Sequence, residues 1–142
     1  MPERPTVDLD PLSTGERERR PVRPFVVEDV VRVPLDETLR AVAVALRARD
    51  VSFAVVGEGD DIDGVISERD LVAAIAFGHD LDATTARDIE SHSLNWASAA
   101  AAVGDVAEEM LETNVRHILV CHDDGTLAGV VSMRDLLAAL VI

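Results

Sequence analysis

Two stretches of this chain repeat each other at a fixed spacing, and that repeat limits the fold more than any other feature. Asp50-Val51-Ser52-Phe53-Ala54-Val55-Val56 lies over Asn114-Val115-Arg116-His117-Ile118-Leu119-Val120, 64 residues further on. At the same spacing Leu39, Val42, Ala43 and Leu46 fall on Val103, Val106, Ala107 and Met110. Both sets run i, i+3, i+4, i+7, the apolar stripe of a helix with one buried face. Asp50 and Asn114 close the two helices, because Asp and Asn tolerate the left-handed conformation that ends many helices.

A short apolar strand follows in each copy, at residues 53–56 and 118–121, and then a polar turn, Glu58-Gly59-Asp60-Asp61 or His122-Asp123-Asp124-Gly125. Such a turn between two apolar runs predicts a hairpin. The returning arm matches more closely still: Gly64-Val65-Ile66-Ser67-Glu68-Arg69-Asp70-Leu71 against Gly129-Val130-Val131-Ser132-Met133-Arg134-Asp135-Leu136, now 65 residues apart. The turn of the second copy is therefore one residue longer. A second helix follows in each copy, and opening strands are expected at residues 30–33 and 94–97. Each unit reads strand, helix, strand, strand, helix. A unit of this size buries too little apolar surface to stand alone. Two units packed sheet to sheet give an α/β fold with a pseudo-two-fold axis and two equivalent clefts. The expected layout is a mobile tail at residues 1–22, repeat 1 at 23–78, a connection at 79–88 and repeat 2 at 89–142; the tail is polar and without apolar periodicity.

Charge narrows the choice of partners. The net charge is -14, and all 13 basic residues are arginine. A field of that sign repels nucleic acid and anionic lipid, so neither is expected as a partner. No apolar run approaches the length needed to span a bilayer, and the N-terminus lacks the pattern of a secretory signal. Cys121 is the sole cysteine, which fits a reducing, cytoplasmic setting.

These residues resemble the CBS-domain pair, or Bateman module, over about residues 25–142. The strongest marks are the two copies of Gly-hydrophobic-hydrophobic-Ser-x-x-Asp, Gly64 to Asp70 and Gly129 to Asp135, in register with a matched helix and hairpin. The stretch from Ile75 to Ile89, through Gly78-His79-Asp80-Leu81-Asp82, resembles stand-alone bacterial pairs of the hypoxic-response-protein type. The resemblance implies a regulatory module, not an enzyme, that holds an adenosine nucleotide or S-adenosylmethionine without any covalent cofactor. It also implies a homodimer formed through helices, with a further protein effector as a possible partner. In that family the Asp accepts hydrogen bonds from ribose hydroxyls and the Ser supports ribose or phosphate. Carried over, Ser67 and Asp70 serve one site, and Ser132 and Asp135 the other. Val51 and Ser52, with Val115 and Arg116, lie along the adenine edge, and Arg69, Arg116 and Arg134 meet phosphate.

The residues admit a second reading. Ser-x-x-Asp at a strand-to-helix turn is also a capping box, in which Ser caps the helix and the acid returns to the cap's backbone. On that reading both motifs need no ligand, and the chain is an interaction or structural module acting through a dimer face. The same turn offers unpaired N–H groups and the positive end of a helix dipole, a seat for phosphate. Other chemistry finds less support. His117, Cys121 and His122 are close in sequence, but His79 and His92 are distant, so no zinc ligand set is expected and no metal is assigned. No His lies near Ser67 or Ser132 in the repeat pattern, except His117 across the second unit, so no catalytic residue is assigned. Trp96 is expected in core or dimer packing, with stacking on a bound base as the alternative.

Overall fold

The computed structural model describes residues 14–142, so the first part of the expected tail, residues 1–13, lies outside the described residues. Two three-stranded sheets form, β1-β2-β3 and β4-β5-β6. The first comprises β1 (Val31–Val33), β2 (Phe53–Glu58) and β3 (Asp61–Ser67), and the second β4 (Trp96–Ser98), β5 (His117–Cys121) and β6 (Leu127–Ser132). Within each sheet the first two strands are parallel and the last two antiparallel. Helices α2 (Leu39–Arg49) and α3 (Glu68–Ala76) serve the first repeat, and α5 (Val103–Thr113) and α6 (Met133–Val141) the second. No helix among the described residues is long and apolar enough to cross a membrane.

The predicted stripes are the buried faces at three of their four positions; Ala43 is exposed and Ala107 half-buried. α2 buries Leu39, Val42 and Leu46, and α5 buries Val103, Val106 and Met110. Both helices end on a left-handed residue, Asp50 at φ 52° and Asn114 at φ 56°. In each case the next residue's N–H returns to a carbonyl of the last turn, Val51 to Leu46 and Val115 to Met110, both at 3.1 Å. The shift from 64 to 65 also has a place. Gly57 pairs with Ile62 in the first hairpin and Cys121 with Leu127 in the second, so the added residue lies in the second turn.

Sequence patterning did not disclose how the repeats interlock. Four isolated bridges form two symmetric sets: Pro21 with Ala102 and Thr85 with Thr38, then Val27 with Val130 and Ser91 with Val65. The residues that precede each repeat's first strand therefore pair with the other repeat. Val22 is fully buried in the core of the second repeat, and its equivalent Ala86, opening the short helix α4 (Ala86–Ile89), is fully buried in the core of the first. Residues 14–22, the end of the expected tail, thus make defined contacts with the second repeat. Helix α1 (Thr14–Arg19) lies against α5 and α6. The Arg20 guanidinium donates to the Ala139 carbonyl in the last turn of α6 and sits over the Phe25 ring at 5.4 Å. A guanidinium at the negative end of a helix and over an aromatic face anchors a segment that has no apolar periodicity.

The glycine of each motif serves this exchange. A Cβ at Gly129 would stand 2.2 Å from the Val27 carbonyl oxygen, and one at Gly64 would stand 2.7 Å from that of Ser91. In both motifs the group that approaches the glycine is the exchanged backbone. Between the sheets Val55, Val65, Leu119 and Val130 form a small buried cluster, each residue with its repeat equivalent across the axis.

Candidate functional site

Both capping boxes are formed. Ser67 Oγ accepts from the Asp70 N–H at 3.2 Å, while Asp70 Oδ2 accepts from the Ser67 N–H at 2.8 Å and from the Ser67 hydroxyl at 3.0 Å. Ser132 and Asp135 repeat the pattern at 3.1, 2.8 and 2.8 Å. All the carboxylate bonds of the two boxes end on Oδ2. The first N–H of each helix is also occupied, Glu68 to the Ser52 carbonyl at 2.9 Å and Met133 to the Arg116 carbonyl at 2.8 Å. The helix N-termini thus offer fewer open donors than sequence alone implies.

Two clefts lie between the repeats, and each draws on both. The first, of about 220 Å³, brings Ser67, Arg69 and Asp70 of repeat 1 against Val115 and Arg116 of repeat 2. The second, of about 390 Å³, brings Ser132, Arg134 and Asp135 against Val51 and Ser52. Ser52 and Arg116 line both clefts. All ten residues singled out in the sequence therefore face one cleft or the other. Among the described residues Arg69, Arg116 and Arg134 enter no ion pair, which leaves their guanidinium groups available. The clefts differ in charge. The first balances Glu68 and Asp70 with Arg69 and Arg116, whereas the second sets Asp29, Asp50, Glu68 and Asp135 against Arg116 and Arg134 alone.

The wall that separates the clefts was not singled out from sequence. Phe53 and His117, equivalent residues of the two repeats, stack with ring centroids 4.7 Å apart and planes 17° from parallel. The Ser52 hydroxyl lies 3.1 Å from His117 Nε2. Burial holds the imidazole down to about 4, with Arg116 acting the same way and Asp135 opposing. The spacing of 64 already equated Phe53 with His117, but only sheet-to-sheet packing makes equivalent residues neighbours at the axis. Ser91, Ser93 and Asn95 of the exchanged segment also line the first cleft. Trp96 lines neither; it pairs with Leu119 in the sheet and is 40% exposed. Base stacking by Trp96 therefore finds no geometric support.

Comparison with known proteins accounts for this doubled architecture. The CBS domain family matches residues 22–77 and again 86–142. The chain belongs to the CBS-domain family. Hypoxic response protein 1 of Mycobacterium tuberculosis is 29% identical over 102 residues, covering 70% of this chain and 71% of that protein. A solved Hypoxic Response Protein I, with two coordinated zinc ions, is 28% identical with a TM-score of 0.68, covering 83% of this chain and 97% of that one. A CBS domain protein from Pyrobaculum aerophilum, complexed with AMP, is 31% identical with a TM-score of 0.75, covering 84% of this chain and 97% of that one. An uncharacterized protein of Methanopyrus kandleri is 31% identical over 128 residues; this CBS pair spans 89% of its own length but 61% of that relative. The exchange of leading segments explains why the match to the first CBS domain begins at Val22, inside the expected tail.

Proposed function

We propose that this CBS pair is a regulatory sensor that binds an adenosine-containing ligand in its first cleft and transmits occupancy through its surface. One observation carries the reading: unpaired Arg69 and Arg116, from different repeats, converge on a cleft that also holds Asp70. A guanidinium pair suits a phosphate, and a carboxylate suits vicinal ribose hydroxyls. The AMP complex of the Pyrobaculum aerophilum relative supports the same ligand class. Charge favours the first cleft for a nucleotide monophosphate. The second, with two more acids than arginines, suits a cationic sulfonium such as S-adenosylmethionine better. Binding would bridge the repeats and shift the balance between their relative arrangements, which is how a module without catalytic groups can signal.

The rival reading, an interaction module with empty clefts, draws on the complete capping boxes, which account for Ser67, Asp70, Ser132 and Asp135 without a ligand. Calorimetry with AMP, ADP, ATP and S-adenosylmethionine on the wild type and Asp70→Asn separates the two. The amide can keep the cap but presents one acceptor where the carboxylate presents two. Loss of a charge-assisted hydrogen bond, about 1.5–3 kcal/mol, weakens binding roughly tenfold to a hundredfold. Equal affinity in both proteins, or no ligand for either, supports the rival.

The same proposal includes a homodimer. Val72 on α3 and Leu137 on α6, equivalent positions, are 64% and 58% exposed, and Ile75 and Val141 add to the outer apolar face. Burying these residues against a second copy removes apolar surface from water. Sedimentation that shows only monomer at tens of micromolar overturns this part.

A further inference from the structure

Away from the cleft arginines and capping boxes, one buried acid has no hydrogen-bond partner within bonding geometry, only His92 and the carboxylate of Asp63 beside it. Glu90 lies on the exchanged segment just after α4, and its side chain is 0% exposed. Neither Oε1 nor Oε2 has a hydrogen-bond partner. A buried carboxylate without a donor or a cation is strongly disfavoured. Its polar neighbours do not supply a ready donor: Asp63 on β3 is a second carboxylate, and His92 Nδ1 stands 3.4 Å from Glu90 Oε1 and 3.0 Å from the Asp63 carbonyl oxygen. One ligating atom from each of Asp63, Glu90 and His92 lies within 4.8 Å of the others.

We propose that Asp63, Glu90 and His92 form a binding site for a divalent transition cation, with Zn²⁺ the ion that fits best. Two metal bonds of about 2.0–2.1 Å at a tetrahedral angle separate their ligand atoms by about 3.4 Å. The His92 to Glu90 separation of 3.4 Å already has that value. Asp63 is exposed and can turn in to complete the set, leaving a fourth position for water or another ligand. An imidazole with two carboxylates suits zinc better than magnesium or calcium, which prefer all-oxygen shells.

The surroundings fit a built site. Gly64 leaves room for the acid, since a Cβ there would stand 2.8 Å from Glu90 Oε1. The paired backbones of Val65 and Ser91, joined at 3.0 and 2.9 Å, hold the two ligand-bearing segments together. Asp63 also opens on a surface hollow with Asp36, Glu58 and Asp61 against the single Arg87, a field that draws cations in. His92 sits between Ser91 and Ser93, both of which line the first cleft, so a bound ion would also secure that wall. In sequence His92 stands far from His117, Cys121 and His122, and Asp63 and Glu90 meet only through the exchange of segments.

A proton shared between Glu90 and Asp63 is the competing account, and the two differ in what they bind. The full chain, stripped with a chelator, is titrated with Zn²⁺ alone near neutral pH by calorimetry and thermal shift. One saturable site of micromolar affinity or tighter is expected, with a raised melting temperature and no response to Mg²⁺. Glu90→Gln and His92→Ala should each weaken Zn²⁺ binding about tenfold or more, on the scale seen when metal shells are disturbed. His92 is exposed, so its variant keeps the fold even if the buried one does not. Co²⁺ substituted for Zn²⁺ should give tetrahedral visible bands in the wild type that His92→Ala loses. Absence of saturable Zn²⁺ binding in the wild type overturns the site in favour of the shared proton. Undiminished binding in His92→Ala overturns it as well, by locating the ion elsewhere. Neither outcome bears on the adenosine reading, since no nucleotide is present.

Discussion

Replacing His117 with phenylalanine would test whether the stacked pair at the axis controls how this protein responds to acid. The imidazole is held down to about 4 in the folded chain, against 6.5 as its ordinary value. Between those values the unfolded chain takes up a proton that the folded chain refuses. Stability from this residue is therefore complete above pH 6.5 and is lost as pH falls toward 4. Each pH unit across that window is worth about 1.4 kcal/mol, so the loss approaches 3 kcal/mol, or about 2–3 with allowance for solvent at the half-buried ring. For a chain of this size that is roughly 5–10 °C in melting temperature.

Phenylalanine keeps a ring against Phe53, 4.7 Å away in the native pair, and cannot bind a proton. It forfeits the contact with the Ser52 hydroxyl, a loss that is the same at every pH. Denaturant unfolding of both proteins from neutral pH to about 4 gives the assay. Carboxylates titrate over the same range, but they do so in both proteins and largely cancel in the difference. The variant should gain on the wild type by about 2–3 kcal/mol as pH falls. Parallel curves would refute the reasoning and mean that water reaches Nδ1 or Nε2 well enough to solvate the imidazolium.

Three further outcomes follow from the interlocked repeats. Gly129→Ala should destabilise by about 1–3 kcal/mol, because its Cβ would meet the Val27 carbonyl at 2.2 Å and backbone must move; chemical unfolding measures it. Val22→Ala should lower stability by about 1–2 kcal/mol, since the side chain is 0% exposed in the second core, and a chain begun at Arg23 should melt lower still by calorimetry. Asn114→Gly should leave stability within about 1 kcal/mol of wild type whereas Asn114→Val should cost more, since φ 56° admits glycine and opposes a β-branched side chain.

Local chemistry carried most of the fold. The stripes at Leu39, Val42 and Leu46 and at Val103, Val106 and Met110 mark one face of a helix in any context, because helical geometry alone brings them together. Asp50 and Asn114 signalled helix ends for a reason intrinsic to their side chains, and Ser67 with Asp70 forms a cap from three residues of chain. The ten residues read from the motifs all line a cleft because each motif fixes its own turn, and the repeat carries the turn to the other side of the axis.

Tertiary structure decided whatever depends on distant segments meeting. Arg20 and Val22 looked like part of a polar tail, since their partners, Ala139 and the second core, lie more than a hundred residues away or in another repeat. Phe53 and His117 become neighbours only once two sheets pack face to face. Glu90 reads in sequence as one more surface acid; its burial beside Asp63 and Gly64 comes from the crossing of the segment that bears it. A single repeat encodes its own strands, caps and helices through contacts a few residues apart. Which groups lose their water at the seam is set by the fit of two repeats, and no local pattern records it.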